Sequence, residues 1–329
     1  MIKVLNLVLI ITLLLSVSVL SQPTELVEVK RITIHEEIFL GGFLEIDIQD
    51  ERILISDNSL NQVVLFTGEK WKILDSEECH PGFKFYPWQA EFGNHDEIFI
   101  TNSGIWGFRI KKNGDCVGAV KTKSIAPEQF DYGDDIVGFS KDFIKYDIRS
   151  WNKKGEEKGI VFSVENEFPN AEYRFKGGGI FETNNIIYFT KVFEPVIYSF
   201  NRETEQLVSK DFKSDFIKPI SEDISKDFDA SKLPKEIDKI IKNYSVTYGL
   251  YQLNENSGIV LFNQHVDKKS VTFGLIFSLS DLSIKETLEF ESRPDFISNN
   301  EFVFIERTSD GFENETIELV FKTIKKNKN

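Results

Sequence analysis

The sequence predicts an all-β fold, a six-bladed β-propeller with a short inserted helix between blades four and five. Three observations carry that prediction. A strand-turn-strand-turn unit recurs along the 329 residues, an alternating strand stands ahead of the first unit with no partner of its own, and no proline- or glycine-rich linker divides the chain.

The first unit is "RILISDNSLNQVVLFTGEKW" (52–71), a short apolar strand, a polar turn, a second strand and a glycine-marked turn. "EIFITNSGIWGFRIKKNGDC" (97–116) repeats the order, and its Asn113-Gly114 pair supplies a hairpin because glycine tolerates left-handed backbone. Weaker copies follow at 134–157, 185–206, 257–283 and 301–323. Anchored on Ile53, Ile98, Ile136, Ile186, Ile259 and Phe302, the spacings are 45, 38, 50, 73 and 43 residues. All but one fall near the ~40–50 residues of a four-stranded blade. The long interval holds "SKLPKEIDKIIKNY" (231–244), where Leu233, Ile237, Ile240, Ile241 and Tyr244 share one helical face and Pro234 suits a first turn. That stretch predicts the inserted helix, packed on the side or end of the propeller.

The unpartnered strand is "ELVEVKRITI" (25–34), and the sixth unit ends in "ETIELVFKTI" (315–324). In a circular fold the first strand completes the last blade and removes exposed sheet edges. A two-sheet sandwich is the competing architecture, and a chain of this length exceeds its usual size.

The N-terminal stretch "MIKVLNLVLIITLLLSVSVLS" (1–21) has one early lysine, an apolar run and small residues at its exit, the pattern of a secretory signal peptide. The expectation is a single mature domain over 22–329, secreted or periplasmic. No later segment is apolar enough to span a membrane. In an oxidising compartment Cys79 and Cys116 read as a disulfide, with two buried thiols as the alternative. With 39 basic and 53 acidic side chains the net charge is −14. Such a surface repels phosphate backbones and anionic lipid, which excludes nucleic acid as a partner.

Over "IDIQDERILISDNSLNQVVLFTGEKW" (46–71) the chain resembles six-bladed propellers of the NHL and TolB-like kind, in particular exported ones of Bacteroidota. The resemblance implies the fold and carries over no functional residues.

Catalytic patterns are absent. His35, His80, His95 and His265 stand apart without metal-ligand spacing, and no serine lies in a nucleophile elbow. The glycine triplet in "KGGGI" (176–180) has no Walker lysine after it and reads as an inner strand at close backbone approach. Two sequons, Asn243 and Asn314, carry no functional weight in a chain this rich in asparagine.

The axial channel should be lined where the chain enters each innermost strand, at 40–43, 86–93, 130–135, 173–179, 248–253 and 293–296. Acidic candidates there are Glu91, Asp131 and Asp295; aromatic ones are Trp88, Tyr132, Tyr173 and Tyr248. Aromatic walls with a few polar groups suit a small molecule or glycan. The leading expectation is therefore an exported, non-enzymatic propeller that binds a small-molecule, glycan or protein ligand through its loop-built end, with no cofactor. One alternative is a hydrolase or lactonase holding calcium in the channel. Another is a structural scaffold of an envelope assembly.

Overall fold

The computed structural model describes residues 25–325, apart from 35–36, 43, 75, 80–85, 94–96, 103–105, 122–128, 142–143, 169–176, 213–216, 221–232, 267–268 and 310–314. The leader (1–21), Tyr173, His35, His80, His95 and Asn314 lie outside the described residues.

Six four-stranded antiparallel sheets follow one another along the chain. Strand β1 (Leu26–Thr33) comes first. Blade one is β2 to β5 (Leu44–Gln49, Arg52–Asp57, Gln62–Phe66, Trp71–Leu74). Blade two is β6 to β9 (Pro87–Phe92, Glu97–Asn102, Trp106–Lys111, Cys116–Lys121). Blade three is β10 to β13 (Gln129–Tyr132, Ile136–Lys141, Lys145–Trp151, Glu157–Glu165). Blade four is β14 to β17 (Gly179–Thr183, Ile186–Thr190, Val196–Asn201, Gln206–Asp211), and blade five is β18 to β21 (Val246–Asn254, Ser257–Val266, Lys269–Ser278, Ile284–Phe290). Blade six joins β22 to β24 (Phe296–Ser298, Glu301–Ser309, Glu315–Ile324) to β1.

The innermost strands touch in sequence, β2 to β6, β10, β14, β18 and β22, and β22 returns to β2, so the sheets form a closed ring. Closure comes from β1, which pairs antiparallel with β24 from Leu26 opposite Ile324 to Thr33 opposite Glu318. Beside it the Lys325 amide donates to Glu25 O at 2.9 Å.

Strand alternation explains how the ring coheres. In β3, Ile53 and Ile55 enter an apolar cluster with Val303, Leu319 and Phe321 of blade six, while Leu54 enters one with Ile98, Ile100 and Phe108 of blade two. A strand buried on both faces needs a continuous apolar run, and "ILI" is that run. Aromatics fill the remaining interfaces: Phe99 meets Phe130 at 5.5 Å between blades two and three, and Phe139 meets Phe189 at 5.3 Å between blades three and four.

Turn chemistry is local. Asn184-Asn185 and Asn299-Asn300, all with positive φ, form the two-residue hairpins that start blades four and six. Gly114, at φ +89°, turns β8 into β9.

Two helices interrupt the strands. A single turn, α1 (Ser76–Cys79), carries the cysteine that is disulfide-bonded to Cys116 on β9. The longer α2 (Leu233–Asn243) lies in the connection from β17 to β18 and packs against β19, with Ile240 buried among Phe168, Val192, Phe193 and Val246. None of the helices among the described residues is long and apolar enough to cross a membrane.

Candidate functional site

The innermost strands surround an axial cavity of about 830 Å³. Three of them carry the same device. The Asp47 carboxylate on β2 accepts the Phe92 amide of blade two at 2.7 Å. Glu91 on β6 accepts the Tyr132 amide of blade three at 2.9 Å. Asp131 on β10 accepts the Glu182 amide of blade four at 2.6 Å. Each side chain thus satisfies an inner-edge N–H that would otherwise face the channel unpaired. Gln89 adds a reciprocal pair, donating to Phe130 O at 2.9 Å and accepting from Phe130 N at 3.2 Å.

Burial raises the pKa of all three carboxyls. Asp47 is pushed up to about 6 and Asp131 to about 7, with neighbouring acids adding to the rise at Asp131. Glu91 is raised well above its ordinary value by burial, then by Asp131 and Asp47. Glu182 is raised by burial as well. Near neutral pH this wall therefore holds carboxyls that donate as well as accept hydrogen bonds.

The other half of the cavity is aromatic. Phe181, Tyr248, Tyr251 and Phe296 line it, and the Arg293 guanidinium lies 5.2 Å from the Tyr248 ring centroid. Asp295 accepts the Ile305 amide at 2.7 Å within blade six, and burial raises its pKa. Trp88, 38% exposed, lines the cavity from the start of β6. The arrangement offers flat apolar surface on one side and hydrogen-bonding groups on the other.

Of the residues the sequence singles out, Trp88, Glu91, Asp131, Tyr248 and Asp295 line this cavity. Tyr132 does not. Alternation sends Asp131 toward blade four and its neighbour back toward blade two. There Tyr132 is 3% exposed, donates its hydroxyl to Glu97 Oε2 at 3.2 Å and lies against Phe99. In blade one the segment 40–43 leads directly into the innermost strand, Leu44–Gln49, and of its described residues Gly42 lines the cavity. The glycine triplet lies at close backbone approach: a β-carbon on Gly177 would press on Thr247 O, and one on Gly179 on the Leu250 backbone.

Sequence reasoning missed Asp47, Phe181, Glu182, Tyr251 and Arg293. A signal for Asp47 exists, because "IDI", "AEF" and "FDY" place an acid between two apolar residues on the inner strand of the first three blades. Among the described residues, no group of three or more His, Cys, Asp or Glu side chains is placed to hold a metal ion. His265, on β19, is half-buried.

No family model matches the chain. A solved structure from Bacteroides fragilis NCTC 9343, described as a candidate exported protein, is similar over 92% of this chain and 95% of its own, with a TM-score of 0.60 and 11% identity. The two share a fold. A nidogen/laminin complex aligns less well, at TM-score 0.42 and 7% identity over 74% of this chain and 79% of the other. Ionotropic glutamate receptor delta-1 of mouse and of human is 29% identical over 119 residues, 36% of this chain. The chain spans about 11% of the length of those curated relatives.

Proposed function

We propose that the protein is an exported, non-enzymatic binding propeller whose axial cavity takes a small polar ligand with an apolar face, a sugar in the first instance. The observation that carries this reading is the two-sided lining. Carboxyl and amide groups stand chiefly on blades one to three, and the aromatics of blades four to six are joined by Trp88 of blade two, around a volume within the range of small-molecule pockets. Aromatic faces hold the apolar surface of such a ligand, and the polar wall fixes its hydroxyls.

Export to the periplasm or beyond is supported by the leader-like residues 1–21 and by the Cys79–Cys116 disulfide, which suits an oxidising compartment. The Bacteroides fragilis neighbour supports it too. Kinship with NHL and TolB-like propellers rests on residues 46–71.

Calorimetric titration with a panel of neutral and amino sugars tests the assignment. The expected result is saturable binding to the parent protein that weakens by roughly tenfold or more when Trp88 and Tyr248 are both replaced by Ala, as loss of two aromatic contacts requires. Binding that is unaltered in this variant, or no binding across the panel, overturns it.

A further inference from the structure

A second cleft, of about 780 Å³, lies at the opposite ends of blades one and two, among the hairpin turns. Its lining gathers four cations, Arg52, Lys70, Lys111 and Lys112, in a protein whose net charge is −14. They come from three segments: Arg52 begins β3, Lys70 closes the turn from β4 to β5, and the two consecutive lysines lie where β8 turns toward β9. The single acid in the lining, Glu97, is already neutralised. Arg109 grips both its oxygens, at 2.7 and 3.0 Å, and the Tyr132 hydroxyl donates to it. The Asp115 carboxylate, outside the lining, accepts from Asn113.

Like charges brought together repel, and Glu97 is the one acid among the residues that line the cleft, although Asp50, Glu51, Glu69 and Asp115 stand on the same turns. Arg52 reaches Asp50 at 3.3 Å, but that carboxylate side chain is 79% exposed and its attraction is screened. The Arg52 guanidinium also lies 5.7 Å from the Phe92 ring centroid, which holds it in place. Lys112 is within electrostatic reach of Asp47. Among the described residues neither Lys70 nor Lys111 has a salt-bridge partner; both are exposed.

We propose that this cleft is an anion site for a small molecule carrying two or more oxyanion groups, phosphate or carboxylate. One guanidinium and three ammonium groups, spread over the turns of two blades, match several separated negative groups better than a single ion. The site is distinct from the axial cavity and does not rest on its occupancy.

The test uses inorganic pyrophosphate and citrate, titrated into the full, disulfide-intact protein at about 0.01 M ionic strength, where screening is weak. One saturable site is expected, weakening as salt is added, and the stronger of the two probes identifies the oxyanion class. Lys70→Gln with Lys111→Gln should weaken binding roughly tenfold or more, since two attractive charges are lost. Lys153→Gln with Lys154→Gln, on the corresponding turn of blade three, should leave it unchanged. In parallel, bound probe should slow acylation of Lys70, Lys111 and Lys112 in the unsubstituted protein relative to Lys153 and Lys154, read by mass spectrometry. No saturable binding of either probe, equal loss in the two double variants, or uniform acylation overturns the proposal.

Discussion

Asp131 shows how one side chain serves both the ring and the cavity. It accepts the Glu182 amide of the next blade, and its pKa of about 7 means that the folded protein binds a proton an unfolded aspartate would release near pH 4. Where the native state holds more protons, stability falls as pH rises. Between about pH 4 and pH 7 Asp131 therefore erodes stability progressively, and its contribution levels off above its folded pKa, with Glu91 acting in the same direction. Denaturant melts should show a more stable protein at pH 5 than at pH 8. Asp131→Asn, which keeps an acceptor but no charge, should narrow that difference by more than about 1 kcal/mol, one pKa unit being worth about 1.4 kcal/mol. Lys191 is the opposite case, a buried cation that donates to Glu165 O at 2.7 Å and to Glu194. Lys191→Ala strands the Glu194 carboxyl in the core and should cost about 3–5 kcal/mol in the same melts. Glu91 and Asp131 are legible in the sequence because acids stand out in apolar strands, and Asp295 because it stands at the entry to one. Tyr132 was misplaced because which neighbour a side chain faces depends on register, and a shift of one residue reverses it.

At the scale of elements, hairpins are the most legible feature. Asn113-Gly114 marks its turn from sequence alone, because φ above zero is a local demand. In blade one "LGGF" (40–43) marks the entry to the inner strand, whose ladder begins at Leu44 opposite Asp57. The disulfide was open in the sequence and is formed in the structure, tying the connection after blade one to the outer strand of blade two across 37 residues. Replacing Cys79 and Cys116 by Ala should lower unfolding free energy by about 3–4 kcal/mol. A thiol titration on denatured parent protein should find no free thiol without reductant. Gly179→Ala should destabilise the junction of β14 and β18, because the backbone and Cβ of Leu250 stand where the new methyl would go. Far-ultraviolet melts compared with Gly42→Ala, where nothing stands within 4 Å, check that expectation.

The ring as a whole was legible because its repeat is long-range but regular, and because one strand was visibly left over. Which apolar cluster each blade shares with its neighbour was not legible, since that depends on packing between residues some 40 positions apart. The two ends of the described chain meet, with Lys325 Nζ at 2.7 Å from Glu25 Oε2. A circular permutant that joins them through a short linker and opens the exposed turn at Lys153-Lys154 should keep the fold, and retention of a single cooperative melt checks it. The pairing of β1 with β24 also sets an order of events. Residues 26–33 are made before any of the blades, yet their partner is the last of the strands to be made, so this strand waits unpaired while blades one to five are synthesised. A chain cut short between β23 and β24 is therefore left with an unsatisfied β23 edge and a loose leading strand, and only the last zippering joins the two.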